Sequence, residues 1–269
     1  MKRRFLALGG VLIVIGVLAF SLWHHTHRPA AAASPLFAVA PDAVTAISAR
    51  WASGNRIALR RGKHGWFLSA PVRAPADATR VNAFIDALAE PVSQRYTAAA
   101  IPLTSAGLAP ARLHLRIGGS LAEFGSRNPA TGLRYVRRGA RILAVNDTLL
   151  PRLAAGPWQF LSPRLLPPGT VPQAVQLNDG APLDGPRLLA AWARARATSV
   201  GPADSSPSKP LARIRVHLAH HPQPLVFDVL SRQPELRLER ASSKLVYTLS
   251  SAAASQLLPA PEHARAAGS

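Results

Sequence analysis

The chain has no cysteine, one methionine and only 17% charged residues among its 269. Without cysteine it has no disulfide scaffold, thiolate metal site, cysteine nucleophile or lipid-modified N-terminal Cys. Acidic residues are also few, because 13 Asp and Glu stand against 32 Lys and Arg, for a formal net charge of +19. Hydrophobic residues make up 48%, which excludes disorder throughout, and the 25 prolines argue against a bundle of long helices.

The longest uncharged run lies near the N-terminus. Phe5–Trp23 holds 19 residues, and a helix of that length spans ~28 Å, close to the ~30 Å hydrocarbon core of a bilayer. The basic residues 1–4 predict a cytoplasmic tail, so the bulk of the chain is expected on the periplasmic side of a bacterial inner membrane. The alternative is a cleaved signal peptide, with Ala31–Ala33 before Ser34 as the small-residue cleavage region.

The part after this run divides into two regions of short alternating segments. Residues 24–40 predict an Ala/Pro-rich tether and residues 259–269 a flexible tail. Between them, residues 41–166 predict a first module and residues 173–258 a second, joined by a Pro/Gly linker at residues 167–172. Alternation bounded by turn residues predicts strands at Val44–Trp51, Arg56–Arg60, Gly65–Ser69, Arg112–Ile117, Leu121–Ser126, Leu133–Arg137, Arg141–Val145, Ala174–Leu177, Leu211–Leu218, Leu225–Leu230, Glu235–Arg240 and Lys244–Leu249.

Both modules are predicted to contain a helix, four antiparallel strands and a second helix, in that order. Asp77 caps the first of these helices, a Pro- and Gly-containing loop follows it, and Ser199–Pro210 predicts a loop in the second module. Leu113–Leu115 precedes Ile214–Val216 by 101 residues, which favours an internal duplication. Adjacent hairpins with segregated helices predict an α+β fold: a transmembrane helix followed by two tandem modules of antiparallel sheet and helix.

Several short motifs follow one another along the chain, before the strand-rich second module: Gly65–Leu68, Pro71, Ala76–Asp77, Gly107–Pro110, Leu133–Val136 and Trp158–Leu166. Together with one N-terminal membrane helix, they resemble the bacterial domain-of-unknown-function family 4340 over roughly residues 40–258. The resemblance implies a single-pass envelope protein, in some cases linked to gliding-motility-type ABC export systems, and it implies no catalytic residues.

Candidates for chemistry are few, and each has a plainer interpretation. His217, His220 and His221 offer imidazoles for zinc, but their spacing fits a strand end and a solvated turn better. Ser206–Lys209 matches the S-x-x-K nucleophile motif but lies in a Pro-rich loop. Asp77, Asp86 and Glu90 suggest acid/base pairs, while their positions around one helix favour a polar face, and Asn146–Thr148 is formally a glycosylation sequon that also suits a helix cap. No metal, cofactor or catalytic residue is predicted.

The excess positive charge concentrates in the first module. Residues 41–166 hold 17 Lys and Arg against 6 Asp and Glu, a net +11. Guanidinium groups match phosphates bidentately, so a local cluster of arginines predicts an anion-binding surface, with Arg137 and Arg141 pointing outward on one side of a hairpin. The cluster is Arg134, Arg137, Arg138 and Arg141.

These observations favour a non-catalytic accessory or scaffold protein that docks on other envelope proteins. The alternative is a binding module for anionic lipid or cell-envelope polymer, and a hydrolase is a third hypothesis. Nucleic acid is not an expected partner, because the predicted topology keeps the modules out of the cytoplasm. The basic surface also has a plain interpretation, since 28 of the 32 basic residues are arginine, a bias that compositional drift would produce.

Overall fold

The computed structural model describes residues 34–97, 99–204 and 209–258. Within these residues, no helix is both long enough and apolar enough to cross a membrane. The predicted span Phe5–Trp23, most of the tether and the tail at residues 259–269 lie outside the described residues. The architecture below therefore concerns the two predicted modules.

The first half folds into a nine-stranded antiparallel sheet with the order β4-β3-β2-β1-β6-β7-β8-β9-β5. Alternation puts Ile47, Leu59 and Leu115 on its inner side, where they are buried in the core. The strands are β1 (Ala46–Trp51), β2 (Arg56–Gly62), β3 (Gly65–Ala70), β4 (Ala74–Pro75), β5 (Val92–Thr97), β6 (Leu113–Ile117), β7 (Ser120–Arg127), β8 (Arg134–Arg138) and β9 (Arg141–Val145).

The second half forms a six-stranded antiparallel sheet with the order β10-β12-β13-β14-β15-β11. Its central strands bury alternate residues, including Val216, Phe227 and Leu238. A meander of four strands is flanked by one earlier strand on each side, and positions β1-β6-β7-β8-β9-β5 of the first sheet follow the same order. The strands are β10 (Pro172–Leu177), β11 (Ser199–Pro202), β12 (Ala212–Leu218), β13 (Leu225–Ser231), β14 (Leu236–Arg240) and β15 (Leu245–Leu249).

Four short α-helices accompany the sheets in the described residues. Asp77 caps the first helix, since its carboxylate accepts hydrogen bonds from the backbone of Thr79 and Arg80. The third helix buries Trp192, whose indole N–H donates to the carbonyl of Leu257 over 3.1 Å. The helices are α1 (Ala78–Ala87), α2 (Leu149–Ala154), α3 (Pro186–Arg194) and α4 (Ser251–Leu257).

The predicted α+β fold class is wrong. The described chain is mostly antiparallel sheet, with fifteen strands and four α-helices of only six to ten residues. The two halves differ in size, because one sheet has nine strands and the other six. The error arose from giving the helical stripes equal weight with the strands, although such short helices cover only part of each sheet.

The segment between the two sheets bonds to both of them. On one side, Ser162 N–H donates to the carbonyl of Pro75 on β4, and on the other, the guanidinium of Arg240 on β14 donates to the carbonyl of Leu165. Leu161 and Leu165 of this segment are buried in one hydrophobic cluster that includes residues of both halves. The connection is therefore a packed part of the structure and positions the two sheets against each other.

Candidate anion-binding site

The four predicted arginines lie on the β8–β9 hairpin, whose strands alternate sides residue by residue. Gly139 makes the turn at φ 57°, a conformation that glycine adopts without strain. The register pairs Arg137 with Ile142 and Arg138 with Arg141. The expectation that Arg137 and Arg141 share one side is therefore wrong, because directly paired residues face the same way and neighbours alternate.

Arg134 lies on the inner side of the hairpin and is 7% exposed. Its Nε and Nη2 donate to the carboxylate of Asp147, and its Nη1 donates to the carbonyl of Gly125 at 2.6 Å. A bidentate pair of this kind satisfies the donors of the guanidinium internally. The structure thus gives Arg134 a role in holding β8 to the segment that precedes α2.

Arg137 lies on the outer side and forms an ion pair with Glu123 of β7. The Nδ1 of His114, on β6, is 3.5 Å from the same carboxylate. The hydrogen bond from Arg137 lowers the pKa of Glu123 below its ordinary value, although partial burial opposes the shift. The same contact raises the pKa of Arg137, so both groups stay charged near neutral pH.

Arg138 and Arg141 lie side by side at the rim of an open groove of about 630 Å³. Arg95 of β5 lies on the same side, because it pairs with Leu143, two residues along β9 from Arg141. We call this surface, with Arg95, Arg138 and Arg141 as its cations, the arginine groove. The hydroxyl-bearing Ser34 and Ser120 also line it.

The charge of the arginine groove is not balanced by nearby carboxylates in the described part of the chain. No Asp or Glu lines it, and the ion pairs of the described residues include none of its three arginines. Arg138 donates to the carbonyl of Leu36 and lies over the ring of Phe37 at 5.4 Å, which fixes its direction. Three guanidinium groups in a concave site can bind phosphate or carboxylate by charge-assisted hydrogen bonds.

A second basic surface lies on the outer side of the nine-stranded sheet. Arg50 pairs across strands with Arg56 on one side and with His114 on the other, and Arg116 follows His114 on β6. Arg60 lies on β2 four residues after Arg56 and is the fifth basic residue on this side. We call these four exposed arginines, Arg50, Arg56, Arg60 and Arg116, with His114, the basic sheet face.

Sequence reasoning missed both Arg95 and the basic sheet face. Arg95 was missed because β5 was not recognised as a strand. The face had a visible signal, because basic and apolar residues alternate along β6 from Leu113 to Ile117. Along β2, Arg56 and Arg60 are an even number of residues apart, which puts them on the same side of the strand. Counting charges in blocks of sequence hid this signal, because the residues come from three strands.

The candidate histidines lie on a strand and in the turn after it, as their spacing predicts. His217 lies on β12, where its Nε2 is buried and has no hydrogen-bond partner among the described residues, and His220 adopts φ 61° in the turn that follows. Among the described residues, no group of three or more His, Asp or Glu is arranged to hold a metal ion. Residues 205–208, which include the serine of the S-x-x-K match, lie outside the described residues.

The carboxylates near α1 do not converge as an acid/base pair. Asp77 caps the helix and Asp86 is exposed on it. Glu90 is buried and accepts a hydrogen bond from the hydroxyl of Thr148, which links the segment after α1 to the start of α2. Asp147 of the sequon is held by Arg134.

Comparison of the chain with protein-family models, with curated proteins and with solved structures finds no match. The resemblance to family 4340 therefore stays a prediction.

Proposed function

We propose that the protein is a non-catalytic binding module of the bacterial envelope, held at the inner membrane by Phe5–Trp23. In this proposal, the arginine groove binds the phosphate groups of an anionic lipid or cell-envelope polymer. The observation that carries the proposal is the convergence of Arg95, Arg138 and Arg141 on one groove without a lining carboxylate in the described residues.

The position of the groove supports a ligand close to the membrane. Ser34 and Pro35, where the described chain begins, line the groove. Ten residues separate Trp23 from Ser34, and a fully extended segment of that length spans at most ~35 Å. Lipid headgroups would therefore be within reach of the groove if Phe5–Trp23 crosses the bilayer.

Docking on other envelope proteins is a second candidate function, and the basic sheet face favours it. That face lies on the side of the sheet opposite to the arginine groove, so a single flat membrane does not cover both. The resemblance to family 4340 agrees with such an accessory role, including one beside an ABC exporter.

The groove is tested by native mass spectrometry of the full-length protein in a nonionic detergent, titrated with phosphatidylglycerol, phosphatidylcholine or polyphosphate. We expect Arg95→Gln, Arg138→Gln and Arg141→Gln together to weaken binding of an anionic ligand at least tenfold. The matched control is Arg187→Gln, Arg194→Gln and Arg196→Gln, which removes three exposed arginines from the second half.

The two anionic ligands distinguish a lipid from a soluble polymer as the source of the phosphate. Unchanged binding of both by the groove variant would overturn the proposed function, as would equal loss in the control. The predicted topology is tested separately by fusing a reporter that is active only in the periplasm after residue 269. An inactive fusion, with an active exported control, would contradict the predicted topology.

A further inference from the structure

The basic sheet face is an array that extends in two directions. Arg56, Arg50 and His114 form one row across β2, β1 and β6. Arg116 lies one row further on, opposite Ser48, and Arg60 lies in the next row, opposite Ala46. With ~4.8 Å between strands and ~3.4 Å per residue along them, the array measures roughly 10 Å by 14 Å between backbone positions.

The charge of this array is largely uncompensated. Glu123 is the one carboxylate in β1, β2, β6, β7 and β8, and Arg137 and His114 already engage it. The ion pairs within the described ranges include none of Arg50, Arg56, Arg60 and Arg116, and all four side chains are exposed. Like charges on adjacent strands are destabilising, so the pairing of Arg50 with Arg56 costs stability that an anionic partner would restore.

Among the described residues, a loop covers the other end of this side of the sheet. There, Ala106 and Leu108 pack on Ile142, together with Tyr96 and Tyr135. The row of Arg56, Arg50 and His114 continues through Glu123 to Arg137. This small cluster lies at the end of that row, since Arg137 pairs with Ile142 and Ile142 pairs with Tyr96. The basic sheet face is thus an open surface next to a firmly packed one.

We propose that the basic sheet face binds the acidic surface of a partner protein in the envelope. This inference deepens the docking role stated under the proposed function and rests on it. These cations are spread over three rows and three strands, so a partner that engages all of them presents its carboxylates over an area, as an acidic polypeptide can. A bilayer that reaches the arginine groove lies on the other side of the sheet. Arginine is also the cation that is enriched in protein interfaces, and its fork matches carboxylates bidentately.

The first test measures binding of poly-L-glutamate, as a model acidic polypeptide, to the full-length protein in nanodiscs of phosphatidylcholine. We expect at least a tenfold loss of affinity in a variant that carries Arg50→Gln, Arg56→Gln, Arg60→Gln and Arg116→Gln. The matched control removes four exposed arginines elsewhere: Arg152→Gln, Arg187→Gln, Arg194→Gln and Arg196→Gln. The control should bind poly-L-glutamate within twofold of the wild type.

Further ligands separate this inference from its rivals. If the face variant loses affinity for polyphosphate or for phosphatidylglycerol discs but keeps it for poly-L-glutamate, the face serves a polymer or a membrane and the inference is overturned. Equal loss in the face variant and the control also overturns it. The groove variant described above should keep its affinity for poly-L-glutamate, so failure of the groove proposal and failure of this one are distinguishable.

The second test is made in cells, with a photo-crosslinking amino acid at Ser48 in the centre of the face. We expect a covalent adduct with another protein that disappears when Arg50→Glu and Arg116→Glu are added. A crosslinker at Ser255, an exposed residue of α4, is the control site. Absence of a protein adduct at Ser48, or an adduct that survives both charge reversals, would overturn the inference.

Discussion

Arg138 and Arg141 lie directly opposite each other across the β8–β9 hairpin, two like charges on one side of the sheet. Opposed like charges destabilise a strand pair by a few tenths of a kcal/mol up to ~1 kcal/mol. The carbonyl of Leu36 and the ring of Phe37 hold Arg138 in place, so this repulsion persists in the folded protein. A bound anion would relieve it, which links the stability of the hairpin to occupancy of the arginine groove.

Arg141→Glu should therefore increase stability while it abolishes binding. The new carboxylate would face Arg138, and we expect the free energy of unfolding to rise by ~0.5 kcal/mol at low salt. Urea denaturation of the full-length protein in detergent, at low and high salt, measures this change. A fall in stability, or unchanged affinity for phosphatidylglycerol, would contradict the link between Arg141 and the groove.

Arg134→Ala should have the opposite pattern. Removing one partner of a buried ion pair leaves the carboxylate of Asp147 and the carbonyl of Gly125 without their donor, and we expect a loss of ~3 kcal/mol. Affinity for phosphatidylglycerol should stay within twofold of the wild type. Arg141→Ala on the same hairpin is the control, since it should weaken binding and leave the urea midpoint nearly unchanged. If Arg134→Ala alone abolished binding in a fully folded protein, Arg134 would belong to the anion-binding site, as the sequence predicted.

Arg240 stabilises the contact between the six-stranded sheet and the connecting segment. It is buried, its Nη2 donates to the carbonyl of Leu165, and its Cζ lies 5.1 Å from the ring centroid of Phe227 and 5.6 Å from that of Tyr247. Burial lowers the pKa of Arg240 and raises that of Tyr247. We expect Arg240→Ala to cost ~3 kcal/mol, because it leaves a cavity and an unpaired carbonyl.

Thermal and urea unfolding measure this effect, with the exposed Arg194→Ala as the control, expected within ~0.5 kcal/mol of the wild type. Arg240→Lys should recover only part of the loss, since an ammonium group lacks the planar surface that stacks on the two rings. Full recovery by lysine would show that charge, and not stacking, makes the contribution.

Glu123 should make the stability of the nine-stranded sheet depend on pH. Its folded pKa is lowered from the ordinary 4.5, mainly by the hydrogen bond from Arg137. The carboxylate therefore contributes stability above that ordinary pKa, and this contribution is lost as the pH falls through the lower, folded value. We expect Glu123→Gln to be less stable at pH 7 by ~0.5 kcal/mol and to lose less stability than the wild type on acidification.

Urea midpoints measured between pH 7 and pH 3 test this prediction. Asp86→Asn, at an exposed position of α1, serves as the control and should follow the wild type across the range. If Glu123→Gln and the wild type lost the same amount of stability on acidification, the pair of Glu123 and Arg137 would not contribute as described.

The strands that were predicted correctly from sequence are those in which buried apolar residues alternate with more exposed ones. β6 and β12 each bury every second residue, and their predicted positions are confirmed to within one residue. The edge strands β5 and β11 were missed, because they are polar or Pro-containing and pair with strands more than forty residues away. Those pairings form only in the assembled sheet, so no local sequence pattern predicts them.

The candidate site was predictable only in part for the same reason. Arg138 and Arg141 are close in sequence, and they do lie together. Arg134 has an internal partner, Asp147, which spacing alone does not reveal. Arg95 joins the groove only through the missed strand β5, and the basic sheet face joins the β1–β2 hairpin to β6, a strand that is distant from them in the sequence.

Gly125 should be indispensable for the loop that covers Ile142. A Cβ built at this position would lie 2.2 Å from the carbonyl oxygen of Ala106 and 3.0 Å from the side chain of Leu108. Because the nearest atom belongs to the backbone, the loop has to shift, and the hydrogen bond from Ser126 N–H to the same carbonyl shifts with it. We expect Gly125→Ala to cost ~2 kcal/mol in the free energy of unfolding and to expose Tyr96 and Tyr135 to solvent.

Gly119→Ala is the matched control, since nothing lies within 4 Å of its added Cβ. Hydrogen exchange should be faster at residues 103–108 in Gly125→Ala but not in Gly119→Ala. Unchanged protection of residues 103–108 in Gly125→Ala would mean that the close approach of this loop to β7 does not hold the loop in place.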